Sequence, residues 1–283
     1  MSKIAIVTDS TSFLPAEIIK KHNITVTPLI LIWDKQTFQD GIDIQPTEFY
    51  TRLKTAKTMP SSSQTSPATM QSTFQNLVDQ GFEVLGLFIS SKLSGTVQSA
   101  IQGKELMGVD GKKITIIDSF ATSVNLGLIV LATARASESG ATLSDCIAVA
   151  EKTRNNSGVF FAVDTLEFLH RGGRIGGAQR FVGSMLNLKP ILALEEGKVE
   201  GVERIRTKSK AHNRVVELIA EKVTGKSNIR LAIAHANASA DARTMLDHAT
   251  KRLNPVETIF TEISPVVGAH TGPGTVALAY SFD

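Results

Sequence analysis

The chain has 283 residues, 42% hydrophobic and 20% charged, the composition of a soluble globular protein with enough length for one large domain or two of medium size. Thirty basic residues against 27 acidic ones leave a net charge of +3, and aromatic residues make up only 6%, too little charge and too few stacking surfaces for a nucleic-acid binder. A single cysteine, Cys146, within an apolar helical pattern, excludes an intrachain disulfide and is expected as a buried, inert thiol.

Taken in chain order, Lys3 to Thr8 is an apolar run of the kind expected for a strand buried on both faces, and it ends in Thr8-Asp9-Ser10-Thr11-Ser12. The segment from Met1 to Asp9 therefore reads as a strand and not as a signal peptide. Pro15 opens a short helix over Ala16 to His22, and Ile24 to Trp33 reads as a second strand. Helices follow at Pro46 to Leu53 and Pro67 to Gln80, then a third strand at Val84 to Ile89 and a helix at Gln98 to Met107. A fourth strand, Lys113 to Asp118, precedes two helices at Val124 to Glu138 and Leu143 to Arg154. The most apolar helical stretch, Leu126 to Ala136, is too short to span a bilayer and carries Arg135, so the expected location is the cytoplasm. Strands alternating with helices predict a mostly parallel sheet covered on both faces.

The polar cluster Asn155-Asn156-Ser157-Gly158 suggests a boundary, with an α/β domain over 1–156 and a second, mixed-sheet α/β domain over 157–283. The second half reads as a strand at Val159 to Val163, a short helix from Leu166, and the glycine-rich Arg171 to Gly177 followed by a helix through Leu186. Ile191 to Leu194 and Lys198 to Arg206 form a predicted hairpin around Glu195-Glu196-Gly197. Helix (Ala211 to Val223), strand (Arg230 to Ala234), helix (Ala240 to Leu253) and strand (Glu257 to Ile263) come next. A loop over Gly268 to Thr275 and a last strand, Val276 to Tyr280, complete the chain.

Four loops carry unusual chemistry. Ser61 to Pro67 and Ser90 to Thr96 are dense in hydroxyls and run into helices, where free N–H groups and hydroxyl donors suit an anionic head group. Ordinary helix capping accounts for the same residues. Arg171 to Gly177 places two arginines among four glycines, and Gly268 to Thr275 places His270 among three. The carboxylates Asp9 and Asp118 lie at predicted strand ends. Hydroxyls, an imidazole and arginine without a carboxylate beside them suit holding an anion better than acid–base turnover. Known enzyme patterns fail: Gly272 to Ala277 has dinucleotide-loop spacing but only six residues after it, and Ala178 and Gln179 stand where a P-loop needs Lys and Ser or Thr. The six histidines lack metal-site spacing, and no G-x-S-x-G elbow is present, so no metal, cofactor or catalytic residue is assigned.

In order, these loops resemble those of the DegV family of bacterial fatty-acid-binding proteins. The matching segments are Thr8 to Pro15, Ser63 to Pro67, Ser90 to Thr96, Gly172-Gly173-Arg174-Ile175, Leu188-Lys189-Pro190-Ile191 and Gly268 to Gly274, spread over nearly the whole chain. Phe13 stands where the family usually has Asp, and Thr65 where it usually has Pro. The resemblance implies a two-domain α/β fold with one long-chain fatty acid buried between the domains. It implies a carboxylate held by Ser62 and Ser94 with His270 nearby, and a carrier role without catalysis. The resemblance further implies that such a carrier presents the acid to a separate fatty acid kinase that makes acyl phosphate for phospholipid metabolism.

The candidate ligand-binding residues are then Ser62, Ser63, Ser94, Gly95, Thr96, Arg174, His270, Thr271 and Gly272. Arg171, Arg204 and Arg206 are assigned to the kinase or its phosphates, and for Arg204 and Arg206 the alternative is a charged edge that merely discourages strand-to-strand aggregation. Arg204 and Arg206 share one face of a strand, joined by Lys208 and Lys210 if that strand continues. Enclosing roughly 14 methylenes at about 0.8 kcal/mol each gives a gross gain on the order of 11 kcal/mol, which a buried carboxylate erodes unless it is hydrogen-bonded. The competing expectation is a small-molecule phosphotransferase or hydrolase built from the same Ser, His and Arg loops.

Overall fold

The structure is a computed structural model and describes residues 3–184 and 188–283. Its first half runs β1 (Lys3–Asp9), α1 (Ala16–Lys21), β2 (Thr25–Thr27), β3 (Ile30–Trp33), β4 (Gln36–Gln39), α2 (Pro46–Leu53) and β5 (Ser61–Ser63). It continues with α3 (Pro67–Asp79), β6 (Phe82–Phe88), α4 (Thr96–Glu105), β7 (Ile114–Asp118), α5 (Ser123–Glu138) and α6 (Leu143–Asn155). The second half opens with β8 (Ser157–Ala162), α7 (Glu167–Arg171), β9 (Lys189–Glu195), β10 (Lys198–Ile205) and α8 (Lys208–Val223). It closes with β11 (Arg230–His235), α9 (Ser239–Leu253), β12 (Glu257–Glu262), α10 (Pro265–Thr271) and β13 (Val276–Ser281).

A four-stranded parallel sheet has the order β2-β1-β6-β7. A six-stranded mixed sheet has the order β10-β9-β8-β13-β11-β12, antiparallel except for the parallel pair β11 and β12. The fold is thus α/β, as the alternation of strands and helices predicts.

Side-chain alternation sets the layers. On the parallel sheet, Val7, Val84 and Phe88 pack with Met70 and Phe74 of α3 and Val97 and Ala100 of α4. Ile6, Leu85 and Leu87 point the other way, into a core with Leu126, Ile129 and Val130 of α5 and Cys146 of α6. The same core takes in Val159, Phe161, Ala232 and Ala277 from one face of the mixed sheet. The opposite face, with Phe160, Ile191, Ile233 and Leu278, is covered by α8 and α9. Helix α5 therefore lies between two sheets, which is why its sequence is apolar all round. Gly127 allows the close approach: a Cβ there would come 2.5 Å from the Ser12 carbonyl oxygen. No helix among the described residues is long and apolar enough to cross a membrane.

Four expectations need correction. Ile24 to Trp33 is two strands, not one; Pro28, which cannot donate to a ladder, lies between β2 in the parallel sheet and β3 in a third, antiparallel sheet ordered β4-β3-β5. Ser61 to Ser63 is an edge strand of that third sheet, because pairing with Ile30–Ile32 overrides the weak strand preference of serine. Gly268 to Thr271 is helical, started by Pro265 in the first turn. Thr207 caps α8 by accepting from the Lys210 N–H, so Lys208 and Lys210 lie on a helix and do not extend the β10 stripe. The stretch Gly176–Ser184 is a 3-10 helix, and the expected end of that helix at Leu186 lies outside the described residues.

Candidate functional site

Ser62 lies opposite Leu31 in the antiparallel pair of β5 and β3. Partners in such a pair share a face, and Leu31 is fully buried, so Ser62 faces inward. Its Oγ is 2.6 Å from His270 Nε2, on the last turn of α10. Two long-range bonds fix that helix: Asp40 Oδ1 accepts from the Val266 N–H at 3.1 Å, and the Tyr50 hydroxyl donates to the Ile263 carbonyl at 3.1 Å. The other imidazole nitrogen, Nδ1, is buried without a hydrogen-bond partner among the described residues and faces Gly172, where a Cβ would come within 2.1 Å of it. Burial, then the Arg174 guanidinium, pushes His270 down to about 4, so the ring is neutral near pH 7.

The loop after β6 is shaped by the parallel sheet. Asp9, buried at the end of β1, accepts from the Ile89 N–H at 2.7 Å and from Thr11, and the Ser90 N–H donates to the Ala121 carbonyl at 2.8 Å. Asp118 accepts from the N–H groups of Ser91 and Phe120, so both strand-end carboxylates build turns. Ser94 Oγ is 2.8 Å from the Thr96 hydroxyl. Arg174 Nε donates to the Leu93 carbonyl at 3.0 Å and Nη1 to the Gly172 carbonyl at 2.8 Å, tying this loop to the glycine-rich turn of the second half.

These groups meet at one cavity enclosing about 850 Å³ of space free of protein atoms, part of it continuous with solvent. Ser62, Ser63, Ser94, Arg174, His270 and Thr271 line it, beside Leu29, Leu93, Val159, Phe161, Leu194, Val199, Val266 and Ala277. An elongated apolar molecule with one hydrogen-bonding end matches such walls.

Three residues expected at the ligand do not line the cavity. Thr96 is fully buried and supports Ser94, Gly95 packs against the Gln64 amide, and Gly272 ends α10 against Phe168 with φ of +76°. Arg171 is paired with Glu167 Oε1 at 2.7 Å, and Arg204 is exposed with its guanidinium 5.2 Å from the Phe181 ring centre. Arg206 is exposed, and none of the three arginines lines the cavity. Thr11, Gln64, Thr122, Ser123 and Thr275 line it without having been singled out. The available signal was Ser119-Phe120-Ala121-Thr122-Ser123, a second hydroxyl-bearing turn between a strand and a helix.

A DegV family model, described as that of an uncharacterised protein family, matches residues 3–283. A DegV domain-containing protein of Halalkalibacterium halodurans is 34% identical over 284 residues, spanning 100% of both chains. Among solved structures, a DegV family protein from Thermus thermophilus, described for its fatty acid binding, superposes with a TM-score of 0.94 at 34% identity, over 99% of this chain and 100% of that one. DegV of Bacillus subtilis, described as a fatty acid binding protein, gives a TM-score of 0.90 at 28% identity over 100% of both chains.

Proposed function

The chain belongs to the DegV family, and from that footing we propose that it is a carrier binding one long-chain fatty acid in the cavity between residues 1–156 and 157–283. The observation that carries the reading is the make-up of the cavity wall, mostly apolar with Ser62, His270, Ser94 and Arg174 at hand for a carboxylate. Ser62 and Ser94 donate to the carboxylate, the neutral His270 ring orients Ser62, and the Arg174 guanidinium supplies positive charge.

In this reading the carrier, cytoplasmic and without catalysis of its own, presents the carboxylate to a separate fatty acid kinase for acyl-phosphate formation in phospholipid metabolism. The Ser62–His270 distance of 2.6 Å also fits a hydrolase nucleophile and base. A hydrolase, however, orients its base through the second ring nitrogen, and Nδ1 of His270 has no partner among the described residues. That favours holding an anion over turnover.

The test is fatty-acid titration of Ser94→Ala beside Ser72→Ala. Ser72 is exposed on α3, where its hydroxyl donates to the Ala68 carbonyl. Ser94→Ala removes a donor to a buried charge and is expected to cost about 1–3 kcal/mol of affinity, with Ser72→Ala near neutral. Equal losses in both variants would contradict the assignment of Ser94 to the head group.

A further inference from the structure

We propose that the start of α5 is a second polar seat inside the cavity, one that receives a hydroxyl carried on the acyl chain; this rests on the fatty-acid reading above. Apart from Ser63, which is half-buried, the cavity's hydroxyls fall into two groups. Thr11 donates to Asp9 at 2.6 Å, Thr271 to the Val267 carbonyl at 3.2 Å, and Thr275 to the Gly272 carbonyl at 2.9 Å. Ser62 and Ser94 are paired with His270 and Thr96. Thr122 and Ser123 line the same cavity, and their hydroxyl oxygens are buried with no hydrogen-bond partner among the described residues.

Ser123 is only 7% exposed. Two residues on, about half a turn, Asn125 is 6% exposed and its Oδ1 is also without a partner among the described residues, though it does not line the cavity. Thr122 holds the N-cap position of a 16-residue helix yet makes no side-chain capping bond, so the first-turn N–H groups gain no cap from it. Ser123 also holds φ of +61°, a left-handed backbone that serine adopts at a cost.

A buried hydroxyl without a partner is costly, and a methylene chain passing it leaves it so. A hydroxyl group both donates and accepts, and therefore satisfies either side chain. The partial positive charge of the helix start adds to the pull on its oxygen. The carboxylate itself is committed to Ser62 and Ser94, leaving this seat for a second oxygen farther along the chain.

The experiment is competitive binding of stearate and a series of positional hydroxystearates to delipidated protein, in wild type and in Ser123→Gly and Thr122→Val. Glycine accepts the left-handed backbone, so Ser123→Gly removes the hydroxyl without asking the turn to change. In wild type one positional isomer is expected to bind roughly 3- to 10-fold tighter than stearate, the worth of one added hydrogen bond. In the variants the affinity ratio of that isomer to stearate should fall to about one. A wild type that binds stearate but favours no hydroxylated isomer overturns the proposal, with the seat holding water only. A preference that survives in both variants overturns it too. If neither stearate nor any isomer binds, the carrier reading fails and takes the second seat with it.

Discussion

At the scale of single residues, the site holds two buried groups whose titrations oppose each other. Asp40 is 2% exposed and accepts from Ser10 Oγ at 2.6 Å and from the Val266 N–H. Burial pushes it up to about 6 from its ordinary 3.8, against those hydrogen bonds. Its contribution to stability is full below pH 3.8 and is lost as pH rises through about 6. His270, pushed down to about 4 from 6.5, contributes fully above pH 6.5 and loses its share as pH falls through about 4. Between pH 4 and 6 the two slopes have opposite signs. Asp40→Asn removes one of them, so its stability relative to wild type is expected to rise from pH 4 to pH 6 by on the order of 2–3 kcal/mol. Denaturant unfolding of both proteins across that range checks it; parallel pH profiles would contradict the assignment. Asp40 was invisible in the sequence because its partner Val266 is 226 residues away, whereas Ser62 and Ser94 stood out as local hydroxyl clusters.

At the scale of elements, what was legible followed local pattern. Parallel strands and amphipathic helices announce themselves by period, and the β9–β10 hairpin by its Glu-Glu-Gly turn. Strand β5 and helix α10 did not, since three serines become a strand only by pairing with β3, and glycines obscure a seven-residue helix. The hairpin joins cavity to surface. Leu194 and Val199 line the cavity, and Ser90 Oγ holds the turn by donating to the Gly197 carbonyl at 2.8 Å. Beyond it, β10 is an edge strand of the mixed sheet, with a register shift between Gly201 and Glu203 and with Arg204 opposite Pro190. Arginines on an exposed edge discourage strand addition and grip phosphate oxygens in pairs. If they serve the kinase, Arg204→Ala and Arg206→Ala leave fatty-acid titrations unchanged and slow acyl-phosphate formation. Transfer at the wild-type rate in both would return the edge to protection against aggregation.

At the scale of the whole molecule, one core joins the two sheets through α5. Arg135 on that helix adds a bidentate pair with Glu257 on β12, at 2.8 and 2.6 Å. The cavity takes walls from both halves, which is why no single stretch of sequence described it. A long acyl chain enclosed this way gains roughly 0.8 kcal/mol per methylene, enough for slow dissociation and retention through purification. Native mass spectrometry of the protein purified from a bacterial host tests this most directly. The carrier account predicts a mass above the bare chain by one long-chain fatty acid, lost on delipidation and regained with oleate or palmitate. A single peak at the apo mass, unchanged on adding either acid, would contradict it.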